Sequence, residues 1–440
     1  MNYYLKIFLY ALGVGFVELL IYFFLLQFQI VHSSGYVPQE LVGIVLILLA
    51  IPLQFLILLL VGYIFKRKPN ALYITCVAFF CICFTTILLS SKEERALYNN
   101  EQVYNRTEKY DYSQGISTPE GYPIKLLTDS KFTLSVIGDR TSGVLLETGK
   151  VYSMIWGAGD NTTSISNGGV VIPDSLKLYW YSFVEDKYYG LKTKLDKDKI
   201  SQNFKTTYKW DINGDMKGLI DSKYSELVAG IAPGGNVVLW ISSSHKAREL
   251  GIYKAKEMDA KSLKDYDVVS SSERQKVLTD TCTCENDLQN RRIVHNIKPI
   301  PFGLWTEKYR KKYNWKIDIN QVGQTRSSIE MLFFNGERDL FYNDAITNMK
   351  SQMQALPVYI YFVFIKGDVK YKAFLSFDED EIYNNFDKLS KTNPAEPLSF
   401  DIAITTDFQK VEVKLKSKDQ SVTFQKIESL KISSKKIKNE

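Results

Sequence analysis

Residues 226–243 read E-L-V-A-G-I-A-P-G-G-N-V-V-L-W-I-S-S, two apolar runs separated by Pro233-Gly234-Gly235. Proline presets a negative φ, and the two glycines accept positive φ without steric cost, so the runs predict an antiparallel hairpin. From Tyr122 onward further short strand-like runs alternate with Gly, Asp, Asn and Ser, so the surrounding chain reads as β-rich. Apart from folding, such a turn can serve as a small nest of backbone N–H groups for an anion.

The spacing Gly230-x-Ala232-Pro233-Gly234-Gly235-x-Val237-x-x-Trp240, preceded by the aromatic run L-Y-W-Y-S-F-V-E-D-K-Y-Y-G at 178–190, resembles the signature of a bacterial lipoprotein family classed as a domain of unknown function. The resemblance covers residues 122–258. It implies an accessory or immunity-type envelope protein, with a secreted toxin as one kind of partner. That family carries a lipid-attachment cysteine after a short signal, and no such cysteine stands near the start of this sequence.

Working outward, residues 178–204 align without a gap on residues 360–386. Tyr179 pairs with Tyr361, Asp186 with Asp368, Tyr189 with Tyr371, Asp196 with Asp378, Asn203 with Asn385 and Phe204 with Phe386, at a constant offset of 378 − 196 = 182. Two copies of one β-rich domain are expected, α+β with mostly antiparallel sheet in a β-sandwich. The second copy lacks the Pro-Gly-Gly turn and Trp240. It offers instead an Asn335-Gly336 turn and a helix start, Asp378 with Glu381, close to a capping box. Upstream, Y-P-I-K-L at Tyr122 corresponds to W-K-I-D-I at Trp315. The domains read 1–90 membrane helices, 91–120 stalk, 121–258 first repeat, 259–310 linker and 311–440 second repeat.

The first ninety residues are nearly charge-free. Segments 7–30, 41–65 and 71–90 each have about the 20 residues that cross a bilayer as a helix. The fold class is therefore a three-helix transmembrane bundle followed by two β-rich repeats. Lys66, Arg67 and Lys68 fill one connection, whereas 31–40 contains no Lys or Arg. The positive-inside rule then puts the N-terminus inside the inner membrane and everything after Ser91 in the periplasm or outside the cell. Glu18 and Gln54 fall near mid-depth. They read either as a functional intramembrane pair or as a protonated acid hydrogen-bonded to an amide that pins two helices.

A net charge of +6 without a basic stripe argues against nucleic acid as a partner. Cys282 and Cys284 lack the further ligands a zinc site needs, so no metal or cofactor is expected. His245 follows Ser242, Ser243 and Ser244, but neighbouring strand residues face opposite ways and give no triad, so no catalytic residue is assigned. Gly157-Ala158-Gly159 is not followed by the Lys-Ser/Thr of a phosphate loop. The remaining candidates are aromatic. Tyr179, Tyr181, Tyr188 and Trp240, with Pro233, Gly234 and Gly235, form either a binding face or core. The expected function is non-enzymatic recognition of an envelope protein partner by a membrane-anchored module. The alternative is a sensor for a small molecule or glycan, which requires an open pocket rather than a flat patch.

Overall fold

The three apolar segments form helices over Tyr3–Gln27 (α1), Gln39–Ile64 (α2) and Pro69–Ser90 (α3). All three are long and apolar enough to cross a membrane. The computed structural model describes residues 2–27, 39–90, 99, 102–134, 143–153, 155–163, 169–214, 216–279, 299–320, 326–392, 394, 396–405 and 410–436. Cys282, Cys284, His32 and His295 lie outside them. The described chain forms a helical unit through Thr107 and a β-rich unit from Glu108 onward.

In the helical unit, Ile7, Ala11, Leu58 and Leu72 pack together, while Phe16, Leu46, Leu49 and Ile82 point outward as lipid-facing residues do. The basic connection is tight, with Lys66 and Arg67 at positive φ and the Arg67 guanidinium 4.5 Å from the centre of the Tyr3 ring.

In the β-rich unit the Pro-Gly-Gly stretch forms the expected hairpin. Glu226–Ala232 pairs antiparallel with Asn236–Ser242, with Ala232 opposite Asn236 across the turn. This hairpin belongs to a ten-stranded sheet in the order Ile427–Lys436, Val369–Phe377, Pro357–Lys366, Arg326–Phe333, Arg338–Tyr342, Ala247–Lys254, Asn236–Ser242, Glu226–Ala232, Ser113–Ser117 and Asp160–Thr163. A seven-stranded sheet from the first half of the unit contains the hairpin Ser175–Ser182 and Lys187–Lys194. A five-stranded sheet from the second half runs Gln352–Gln354, Tyr313–Ile319, Leu398–Ile404, Val411–Lys416 and Ser421–Thr423. Pairing is antiparallel except for Ser113–Ser117 beside Glu226–Ala232 and Tyr313–Ile319 beside Leu398–Ile404.

Period-2 burial explains these layers. Trp315, Ile317, Phe400 and Ile402 of the five-stranded sheet meet Ile360, Phe362 and Phe364 of the large sheet, and the helix Glu379–Thr392 (α4) adds Ile382, Phe386 and Leu389 to the same core. The shorter helix Lys197–Lys205 buries Ile200 and Phe204 and is capped by Asp196, whose carboxylate accepts from the Lys199 N–H at 3.0 Å. Asp378 caps α4 in the same way, accepting from the Glu381 N–H at 2.8 Å. The expected box does not close, because the Glu381 carboxylate accepts from the Gln425 and Lys426 N–H groups instead.

Ser113–Ser117, within the stretch read as stalk, is a strand buried beside the hairpin. Gly149–Val151 is a short strand paired with Ile124–Leu126.

Candidate binding cleft

Five chain segments converge at the seam between the two halves of the β-rich unit. Beyond the end of Ser113–Ser117 come Pro119, Glu120 and Tyr122. The loop carrying Ile155 and Trp156 is tied to that strand end: the Gly157 N–H donates to Ser117 Oγ at 3.0 Å and the Thr118 N–H to Ser153 Oγ at 2.9 Å. Pro301, Leu304, Trp305 and Tyr309 come from a segment folded on itself by bonds from the Leu304 N–H to the Pro301 carbonyl and from the Tyr309 N–H to the Leu304 carbonyl. The second half supplies Leu332–Phe334, at its hairpin turn, and Val358 and Tyr359. These residues line an open cleft of about 430 Å³.

The walls are rigid aromatics. Tyr122 and Trp305 meet edge to face at 5.0 Å, Trp156 stands perpendicular to Trp240 at 4.9 Å, and Tyr309 lies 5.0 Å from Phe334. The Tyr309 hydroxyl donates to Glu379 at 2.7 Å, which fixes the ring. Burial pushes the Tyr122 hydroxyl up to about 12, so it stays protonated at neutral pH. Tyr122 Oη and Trp156 Nε1 are buried without a hydrogen-bond partner among the described residues. Among the fourteen lining residues, Glu120 alone is charged.

The sequence candidates sit elsewhere. Trp240 is 0% exposed and donates its indole N–H to the Asn335 carbonyl at 3.2 Å. Tyr181 and Tyr188 are buried against Phe183 and Val277, and the Tyr188 hydroxyl accepts from the Val269 N–H at 2.8 Å. Tyr179 is half-buried, with the Lys177 ammonium 4.9 Å from its ring centre. Gly234 and Gly235 have φ of +78° and +72°, as the turn requires. The anion at that turn is the chain's own, because the Gly234 N–H donates to the Glu185 carboxylate at 2.8 Å and Tyr189 Oη donates to the same oxygen at 2.9 Å. Pro233 is buried beside them.

These placements make the Gly230–Trp240 stretch a packing device. A Cβ on Gly230 would meet the Trp240 ring at 2.2 Å, so only glycine lets the indole cross the hairpin. Gly157 and Gly336 make a comparable backbone approach between the halves.

His245 Nδ1 lies 3.5 Å from a Glu330 carboxylate oxygen. The Ser243 hydroxyl is engaged with Tyr208 Oη and the Lys246 backbone. In the helical unit Gln54 Nε2 donates to Glu18 Oε2 at 2.8 Å, with both side chains buried. Sequence reasoning missed the cleft because its aromatics come from five distant segments. The only local signal was the aromatic, Pro- and Gly-broken run P-I-P-F-G-L-W at 299–305, read as linker.

Residues 98–303 match the family described as protein of unknown function (DUF2931). The matched segment contains the Pro-Gly-Gly hairpin and ends within the run that lines the cleft, leaving the second half outside it. No curated protein and no solved structure matches the chain.

Proposed function

We propose that this chain is a membrane-anchored, non-enzymatic binding module whose ligand site is the aromatic cleft at the seam. The cleft itself carries the reading. Its volume of about 430 Å³ falls in the range of small-molecule sites, and a concave aromatic site suits a small ligand better than the flat patch a protein partner needs. Burial of Tyr181, Tyr188 and Trp240 supports the cleft over a flat aromatic face on the hairpin strands.

The β-rich unit is proposed to lie in the periplasm or outside the cell. The basic turn Lys66-Arg67-Lys68 supports this orientation. The two halves are proposed to be copies of one sandwich. Supporting this, the successive elements begin at 175, 187 and 197 in the first half and at 357, 369 and 379 in the second, each 182 apart. Each half also has one parallel pair followed by an antiparallel hairpin. On that reading the counterpart of Tyr313–Ile319 is Ser113–Ser117, both flanking the parallel strand, rather than the stretch at Tyr122.

The test is to purify the full chain from its own host membrane and identify extracted small molecules by mass spectrometry, with Val358→Trp as the comparison. Val358 is half-buried in the wall, so a larger side chain fills the cleft with little demand on the fold. A near-stoichiometric molecule held by the wild type and missing from an equally stable Val358→Trp supports the reading. Identical extracts overturn it.

A further inference from the structure

We infer that the cleft selects a small organic cation of the quaternary ammonium type, an inference that rests on the binding reading above. The choice among ligand chemistries follows from what the wall lacks. Sugars and other polar ligands need several hydrogen-bond partners. Here Tyr122 Oη and Trp156 Nε1 are buried and the Tyr309 hydroxyl is committed to Glu379, which leaves the Tyr359 hydroxyl and Glu120 as the polar side-chain groups of the wall. A primary ammonium has three N–H donors to satisfy, and among the lining side chains Glu120 is the one carboxylate to take them. A quaternary ammonium has none, so its desolvation asks nothing of the wall in hydrogen bonds.

The wall carries the half-buried aromatic side chains of Trp156, Tyr309 and Tyr359, and the negative faces of such rings attract cations and repel anions. Glu120 gives the same sign of preference. It is exposed, it lines the cleft, and it makes no ion pair among the described residues. No basic residue lines the cleft to oppose it.

The experiment uses the full chain in nanodiscs of phosphatidylglycerol, which contain no choline headgroup. Choline and its uncharged isostere 3,3-dimethylbutan-1-ol are titrated by calorimetry into wild type, Glu120→Gln and Val358→Trp. Choline is expected to bind about tenfold more tightly than the isostere. Glu120→Gln narrows that gap, and Val358→Trp abolishes both heats. Equal binding of the two probes to wild type overturns the cation inference and leaves the cleft as a site for neutral ligands. Binding that survives in Val358→Trp, or no heat from either probe, overturns the assignment of this ligand class to the cleft. The extraction experiment above judges the binding reading separately.

Discussion

Gly230 shows how one residue carries a motif. It sits on Glu226–Ala232 where the Trp240 ring crosses from the neighbouring strand, and the Trp156 ring closes in from the loop, so a methyl group there has no free volume. Gly230→Ala is expected to destabilise the protein by about 1–3 kcal/mol, the usual cost of overpacking a filled core. The check is the unfolding midpoint of full-length protein followed by tryptophan fluorescence. An unchanged midpoint would mean that the indole moves aside freely and the glycine is not there for packing. The same logic explains why the Pro-Gly-Gly turn is mostly interior: its glycines admit aromatic rings and a carboxylate at close range. The spacing was legible in the sequence, whereas the atoms that fill it were not.

At the scale of elements, hairpins and helices follow local rules. Both capping aspartates stand where the sequence puts them, one residue before the helix, and each accepts the N–H three residues on. Asp378→Ala is expected to cost about 1 kcal/mol. Hydrogen exchange should show faster exchange of the Glu381 amide, with the amides of the five-stranded sheet unaffected at first. Protection that stays the same at the start of α4 would show that the bonds from the Gln425 and Lys426 N–H groups to Glu381 hold this end without the cap. Those bonds are why the capping box stayed open. The glutamate found two backbone donors across the fold and left its own helix, a choice that no window of four residues contains. Ser113–Ser117 went unread for a related reason: its stability as a strand comes from the parallel neighbour more than a hundred residues away, not from its own propensity.

On the scale of the whole molecule the two halves of the β-rich unit join edge to edge. Among the described residues Ala247 and Arg338 are the one strand pair there, and ion pairs and further hydrogen bonds add to it. Arg248 donates to the Arg338 carbonyl at 2.9 Å and pairs with Asp339, Lys246 lies 3.4 Å from Asp339, and the Glu249 N–H donates to Glu337 at 3.1 Å. Burial pushes the Lys246 pKa down, with Asp339 opposing, so this ammonium is held by its partner against the loss of water. Glu226, at the start of the hairpin, is pushed up from 4.5 by burial, with Arg338 opposing. A raised carboxyl pKa means the folded chain binds the proton more tightly than the unfolded one. Its contribution is therefore present below about 4.5 and is lost as pH rises through the folded value. Glu226→Gln, which stays neutral, should melt higher than wild type at pH 7 and match it below about pH 4. Parallel melting curves across that range would show that the Glu226 charge is already satisfied.

The helix spans, the Pro-Gly-Gly hairpin and both helix caps were determined by the sequence alone, because hydrophobic period, glycine and proline dihedrals and capping act over a few residues. The 182-residue offset was legible there too, as a comparison of two stretches. The cleft was decided only by tertiary structure. Tyr122, Trp156, Trp305, Phe334 and Tyr359 carry no shared pattern along the chain, and they become one wall only after the two halves have joined edge to edge in one ten-stranded sheet, held there by apolar packing and ion pairs.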